Sequence, residues 1–372
     1  MTTPYNTMTT FFFRRSVEKA FQLDEYPPGL SLSLNRHIEG NTPYIILAVD
    51  DVMYIVNAVI QKSISTSQRD IIASVIPSIG RVLSGDFIGM IQRKMQDEAY
   101  PKPVVQGGFP PEEKIIQFIV LINSLDMANE YLTRIIEGRL GPADIGMNGD
   151  APASHHPLKD SFPFERDVTF VASALNTLRQ SFVAKSTELL NEGIARLLDN
   201  VVKPRLRPVL TETFRDADYT LSEEEIAEYA AQNDEDEEDM LEQVPRRFEH
   251  GWEQLMKAMA RLMTPATFSI LLDMTARYLS KLLERKVLSF SGRTNAYGAI
   301  RIERDFTAIV DVVSRGNYLV REVFAKVTQL LMVANMEDDE WEELVALDGD
   351  DGMDWVLTEE EKKKARSLVR IL

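Results

Sequence analysis

The raw material for chemistry in this 372-residue chain is four histidines, 58 carboxylates and no cysteine. Metal binding and nucleophilic catalysis need such groups converging at set spacings. His155 and His156 stand side by side before Pro157, while His37 and His250 stand apart. With no further ligand near the pair, the histidines read as solvated residues and not as a zinc site. Lack of cysteine removes disulfides, thiolate metal sites, iron–sulfur clusters and thiol nucleophiles. Asp348, Asp350, Asp351, Asp354 and Glu359 have the outline of a calcium loop, Glu359 being twelfth from Asp348. The sixth position, which needs glycine for its sharp turn, is Met353, and the fifth, Gly352, brings no side-chain oxygen, so the run reads as a flexible acidic connector. A Gly-Lys pair, His-Glu-x-x-His, Gly-x-Ser-x-Gly and Gly-x-Gly-x-x-Gly are all missing. The expectation is a chain with no catalytic residue, no metal and no cofactor.

One polar pair has a structural use. Thr358 and Glu361 form the Thr-x-x-Glu of a capping box, in which each side chain satisfies an orphan amide of the other. It predicts a last helix from Glu359 through Leu372, with Leu368, Val369 and Leu372 available to dock.

The elements that carry these residues are helices. Apolar residues recur at alternating steps of three and four almost everywhere, and strand-like alternation is nearly absent. Val168, Val171, Leu175, Leu178, Phe182, Leu189, Ile194, Leu197 and Val201 predict one long helix, about 50 Å at 1.5 Å per residue, ended by Pro204 and Pro208. Ile115, Phe118, Ile122, Leu125, Asn129, Leu132 and Ile136 predict another, opened by Pro110 to Glu113 and closed by Gly138 and Gly141. Further helices are expected at 10–23, 49–65, 68–98, 245–263, 265–288, 300–313 and 318–343. In the Phe11, Phe12, Phe13, Arg14, Arg15 run, Val17, Ala20 and Phe21 continue an ordinary core stripe, which favours packing over a membrane-surface role. Segments 23–43, 141–163, 216–243 and 348–354 read as loops from their Pro, Gly, Ser or acid content. The fold class is therefore all-α: antiparallel helical bundles stacked into a rod. The acidic segment 216–243 has too few apolar residues to offset its ordering entropy. It marks a linker between residues 1–243 and a C-terminal helical domain, 244–372.

Charge bears on partners. The net charge of −17 opposes general nucleic-acid binding. Eleven acids without a base lie between Glu223 and Glu242 and thirteen between Glu337 and Glu361; without them the remaining chain carries +7. No Asn-x-Ser/Thr acceptor and no secretory leader is present, and the apolar stretches around Tyr44–Ile60 and Ile115–Ile122 are interrupted or too short to span a bilayer. Exposure to a reducing cytosol, without a membrane crossing, is expected.

Several strings, taken in order, resemble the family of fourth subunits of the conserved oligomeric Golgi complex, a vesicle tether. They are Met8–Tyr26 (MTTFFFRRSVEKAFQLDEY), Asp50–Val56 (DDVMYIV), LLNEGIARLLDNVVKPRLRPVL with the acidic stretch after it, Gly298–Phe306 (GAIRIERDF), Arg321–Gln329 (REVFAKVTQ) and Trp355–Glu361 (WVLTEEE). The resemblance implies a helical-rod tethering fold with its last two rod domains present and the family's amino-terminal half missing. It also implies a non-enzymatic role in intra-Golgi retrograde transport, as a peripheral protein on the cytosolic face of the Golgi membrane. The implied partners are the sister subunits and SNARE proteins with their regulators, with no nucleic acid. Other readings of the residues are a peripheral membrane binder or a generic α-helical scaffold. At site level, the resemblance implies that Lys326 pairs with Glu361, pinning the final helix, with Arg321 one turn away as a surface contact. The family carries arginine where this chain has Lys326, and a lysine cannot make the planar two-pronged bond.

Overall fold

The structure, a computed structural model, describes residues 2–141, 157–233, 237–315, 317–346 and 354–369. Among them there is no β-strand, and one isolated parallel bridge joins Thr294 to Val369. The chain forms two compact units: Met1–Val201 with Met259–Phe268, and Val202–Ala258 with Ser269–Leu372. Residues 216–243, where composition suggests a linker, fall within the second unit.

In the first unit, α1 (Thr2–Gln22), α2 (Leu47–Ile64) and α3 (Arg69–Val82) pack on one another. α3 runs on through a π turn (Leu83–Phe87), α4 (Ile88–Arg93) and a second π turn (Lys94–Glu98). α5 (Glu112–Leu140) and α7 (Glu165–Leu197), with the short α6 (Pro157–Ser161) before it, complete the bundle, α7 packing on both α3 and α5. Phe13 and Val17, Val56 and Ile60, Ile72 and Ile79, Phe118 and Ile122, and Leu175 and Phe182 fill its core. The Phe87 ring bridges Phe21 at 5.7 Å and Phe182 at 6.1 Å. Arg69–Glu98 is long and apolar enough to cross a membrane by length and composition, but just over half of its most apolar window is buried inside the protein. That apolar surface, Ile72, Val75, Ile79, Leu83 and Phe87 among it, is spent on the bundle core.

The second unit begins where the sequence predicts a stop. Helical backbone continues from α7 through a π turn (Leu198–Val202) into α8 (Lys203–Thr213). Pro204 and Pro208 do not end it: Pro204 follows directly on the π turn, in the first turn of α8, and Pro208 lies inside α8. Next come α9 (Glu223–Asn233), α10 (Glu237–Leu241), α11 (Gln243–Leu262), α12 (Pro265–Leu288) and α13 (Ala296–Ser314). α14 (Tyr318–Glu322), α15 (Ala325–Asn335), α16 (Asp338–Ala346) and α17 (Glu359–Arg366) follow. α9 corrects the expected acidic loop. Ser222 and Glu225 form a capping box there, with Glu225 N donating to Ser222 Oγ at 3.3 Å and Ser222 N to Glu225 Oε2 at 2.8 Å. Three glutamates sit at the positive end of the helix dipole, and Ile226 and Ala230, one turn apart, are buried. The single helix expected over 318–343 is three. Asn317 caps α14, the chain breaks at Val323 and Phe324, and Met336 is extended at the end of α15.

The 23–43 segment is irregular but tied down. Asp24 Oδ1 accepts from Ala48 N at 3.0 Å, which caps α2, and Asp24 Oδ2 lies 3.0 Å from Lys94 Nζ. Glu112 accepts from Ser31 Oγ and Leu32 N, both at 2.8 Å, while Arg261 donates to Ser33 O and Arg36 O.

Candidate functional site

The residues singled out near the carboxyl end meet on α17 of the second unit. The capping box is present: Glu361 N donates to Thr358 Oγ1 at 3.3 Å, and Thr358 N donates to Glu361 Oε2 at 3.1 Å. The other oxygen of the same carboxylate accepts from Lys326 Nζ at 2.6 Å. One carboxylate thus starts α17 and ties it to α15. The second carboxylate of the cluster, Glu284 on α12, stands 3.8 Å from Lys326 Nζ. Lys326 and Glu361 are 30% and 29% exposed, so water still reaches the pair. The hydrogen bond from Lys326 holds the Glu361 carboxyl below the usual carboxylate range, with the Thr358 amide adding to it. The bond to Glu361 in turn raises the Lys326 ammonium above its ordinary value.

The strand of chain leading into α17 is clamped as well. Gln329, three residues past Lys326 on α15, donates to Asp354 O at 2.8 Å, and its own oxygen accepts from Val356 N at 2.8 Å and Leu357 N at 3.3 Å. Lys362 is buried with its ammonium 4.2 Å over the Trp355 ring and 2.9 Å from Glu359 Oε1. Arg366 donates to Met336 O and pairs with Asp338. Leu357, Ala365 and Leu368 are buried beneath.

Two expectations need correction. The last helix ends at Arg366, capped by Ser367, because the next residues leave helical geometry so that Gly292 N can donate to Leu368 O and Val369 can bridge Thr294; residues 370–372 lie outside the described residues. Arg321 lies at the surface, but not one turn from Lys326 along a shared helix. It belongs to α14, separated from α15 by the break at Val323 and Phe324, and pairs with Asp311 at 2.5 Å on the surface.

A second polar constellation in this unit went unforeseen. Buried Asp305 on α13 accepts from Tyr219 Oη at 2.9 Å, and Asn295 Nδ2 donates to Thr220 O at 2.7 Å. Arg301 donates to Asp218 O at 2.9 Å and lies over the Tyr219 ring. Burial pushes the Asp305 carboxyl up, against the lowering effect of Tyr219 and Arg304, and burial likewise raises the Tyr219 phenol. Gly298 is where the 218–220 strap crosses the helix: a Cβ there would stand 1.9 Å from Tyr219 O. In the first unit, fully buried Asn123 plays a similar part. Its Nδ2 donates to Tyr44 O at 3.1 Å and Leu262 O at 2.6 Å, and its Oδ1 accepts from Thr264 N at 3.1 Å. The one sequence signal for it is an asparagine inside the apolar run Ile119–Leu125.

The hydroxyl–carboxylate pairs, Tyr219 with Asp305 and Thr264 with Asp126, tie separate segments of the chain together. The described residues contain no group of three or more histidines and acids able to hold a metal. His37 and His250 are exposed, and His155, His156 and the 348–353 acidic run lie outside the described residues. A cleft of about 530 Å³ is lined by Tyr44, Asp126, Met127, Glu130 and the turn around Thr264. Its two acids are already engaged, Asp126 by Thr264 Oγ1 at 2.7 Å and Glu130 by Arg134. In each of these clusters the polar groups hold neighbouring segments in place.

Known proteins resemble the chain in sequence and in fold. The family model "Conserved oligomeric Golgi complex subunit 4, C-terminal" matches residues 118–364, and "COG4 transport protein, middle alpha-helical bundle" matches residues 1–95. Conserved oligomeric Golgi complex subunit 4 of Arabidopsis thaliana is 25% identical over 372 residues, covering 98% of this chain and 44% of its own length. The Schizosaccharomyces pombe protein of the same name is 22% identical over 342 residues, 89% of this chain and 41% of its own length. The chain therefore spans about two fifths of the length of these relatives. Among solved structures, the C-terminal domain of the exocyst subunit Sec6p aligns over 99% of this chain and 89% of its own, with a TM-score of 0.52 at 13% identity, a likeness of fold.

Proposed function

The chain belongs to the family of conserved oligomeric Golgi complex subunit 4, and on that premise we propose that it is a non-enzymatic part of a multisubunit Golgi vesicle tether. It acts by presenting the surfaces of its helical units. Its partners are the sister subunits and the SNARE machinery, its place is peripheral on the cytosolic face of the Golgi, and its task is capture in intra-Golgi retrograde transport. The observation that carries this reading is the family match over residues 118–364. The helical likeness to an exocyst subunit and the engaged state of the polar clusters support it.

Within this reading the Lys326–Glu361 pair orients α17, so that the C-terminal surface has one shape and not several. Disruption of the gene tests the function: retrograde return of Golgi-resident enzymes slows and their steady-state position shifts. Unchanged Golgi trafficking in the disrupted cells refutes it. Replacing Lys326 and Glu361 together, with folding intact, is expected to reduce Golgi association.

A further inference from the structure

The last turns of α12 and α17 lie side by side in the second unit. Glu284 of α12 and Glu361 of α17 flank one ammonium, Lys326 Nζ, at 3.8 and 2.6 Å. About two turns further along each chain, Ser291 Oγ and Ser367 Oγ stand 3.3 Å apart, and Gly292 N donates to Leu368 O at 3.2 Å. The two segments therefore run in the same direction, and the parallel bridge of Thr294 with Val369 closes the pair. Residues 281–293 and 362–369 hold eight cations and one acid, Glu284, in a chain of net charge −17. Three of the eight are committed: Lys286 lies over the Phe214 and Phe290 rings, Lys362 pairs with Glu359, and Arg366 pairs with Asp338. The other five, Lys281, Arg285, Arg293, Lys363 and Lys364, are exposed, and their side chains make no ion pair or hydrogen bond among the described residues.

We infer that this surface is a contact site for an anionic lipid bilayer, its five free cations engaging several negatively charged headgroups at once. The inference rests on the proposed peripheral placement at a membrane and adds the surface and the lipid chemistry. A helix dipole draws cations to the last turn, which accounts for Arg285, Lys363 and Lys364. It does not account for Lys281, about two turns before the end of α12, nor for Arg293, beyond that end. Lys281 and Arg285 stand four residues apart, a spacing at which like charges destabilise a helix and an anionic surface relieves the repulsion. The makeup of the patch selects a bilayer over a protein. Protein interfaces are poor in lysine and centre on aromatic anchors. Here three of the five cations are lysines, and neither segment has an exposed large apolar side chain. A membrane surface needs only charge density, each Lys or Arg close to it strengthening binding about fivefold. The bulk negative charge acts weakly on this site, since charges more than about 8 Å away are screened at physiological salt. Of the acids on α17, Glu359 and Glu361 are paired with Lys362 and Lys326, which leaves Glu360, a turn before Lys364.

The test uses the full-length protein purified with its complex. Lysines are briefly acetylated with and without vesicles of phosphatidylcholine and phosphatidylglycerol, whose headgroups carry no competing amine, and the labelled sites are read by mass spectrometry. Lys281, Lys363 and Lys364 are expected to label readily in the complex alone, to be protected several-fold by these vesicles, and to stay open with phosphatidylcholine alone or at about 0.5 M salt. The variants Lys363→Gln/Lys364→Gln and Arg285→Gln/Arg293→Gln, all at exposed positions and checked for helicity by circular dichroism, are each expected to float with the anionic vesicles about 25-fold more weakly. Lysines already protected in the complex without vesicles mean that a protein covers the surface, and overturn the inference. Flotation that leaves these lysines open, or that either variant matches, overturns it too but leaves the peripheral placement standing. Failure of the complex to float with the anionic vesicles overturns both.

Discussion

Removing Lys326 and Glu361 singly and together measures how firmly α17 is held. Lys326→Ala deletes one ion pair. Glu361→Ala deletes the same pair and also the acceptor of the Thr358 amide, a cap of about 1 kcal/mol. At 2.6 Å the pair is close, but both side chains are nearly a third exposed, and exposed pairs contribute about 0–1 kcal/mol. Glu284 at 3.8 Å partly replaces Glu361 when the latter is lost, which lowers the apparent coupling further. The double-mutant cycle should therefore give a coupling of about 0.5 kcal/mol, with Glu361→Ala about 1 kcal/mol worse than Lys326→Ala. Glu361→Gln keeps most of the cap and isolates the charge. Hydrogen exchange of the α17 amides is the assay, because the opening concerns one helix and not the whole chain. The coupling corresponds to a roughly twofold departure from additivity in protection. The pH profile follows from the two shifts. Glu361 is lowered, so its contribution is present above its unfolded value and lost as pH falls through the folded one. Lys326 is raised, so its contribution is present below its unfolded value and lost as pH rises through the folded one. Protection should be flat between about pH 5 and 10 and fall on both sides. Strict additivity, or Lys326→Ala as damaging as Glu361→Ala, refutes the shared-carboxylate latch.

Gly298→Ala gains about 1 kcal/mol of helix propensity, but its Cβ would stand 1.9 Å from the Tyr219 carbonyl; a net loss of about 3 kcal/mol in urea unfolding is expected, and a neutral variant contradicts the close crossing. Asn123→Leu leaves Tyr44 O, Leu262 O and Thr264 N without their partner and should cost about 3 kcal/mol or more, read from the same unfolding transition. Ser222→Ala removes the cap of α9 and should speed exchange of its amides about fivefold, a loss of about 1 kcal/mol; no change would mean that the acidic helix does not depend on its box. Asp305 has a raised carboxyl, so its contribution is full below the unfolded value and lost as pH rises through the folded one; Asp305→Asn should flatten that slope of stability against pH, and an unaltered slope would place its origin elsewhere.

Where helix ends carry their own punctuation, the fold is legible in the residues. α12 runs Pro265–Leu288 as its stripe and proline indicate, and α5 ends at Gly141, whose φ of 79° suits glycine. The Thr358 box was readable for the same reason, since both partners lie within one turn. α9 was obscured because bulk acidity outweighed a local signal: Ser222-x-x-Glu225 followed by Ile226 and Ala230 is the same punctuation in acidic company. Pro204 and Pro208 misled because a packed helix can carry a proline, as α8 carries Pro208 and α3 carries Pro77. The breaks at Val323–Phe324 and after Asn335 carry neither Gly nor Pro, and only packing reveals them. The Asn123 and Tyr219–Asp305 clamps join residues about 80 to 140 positions apart, beyond the reach of any local pattern. Lys326–Glu361 entered through family resemblance, as spacing alone does not single out that pair among 58 acids.

The account stands or falls most directly on the native mass and composition of the tagged full-length protein isolated gently from its own cells. It predicts one large particle in which the other subunits of a Golgi tether are present at fixed stoichiometry. A lone polypeptide, or one bound in fixed ratio to unrelated machinery, contradicts it.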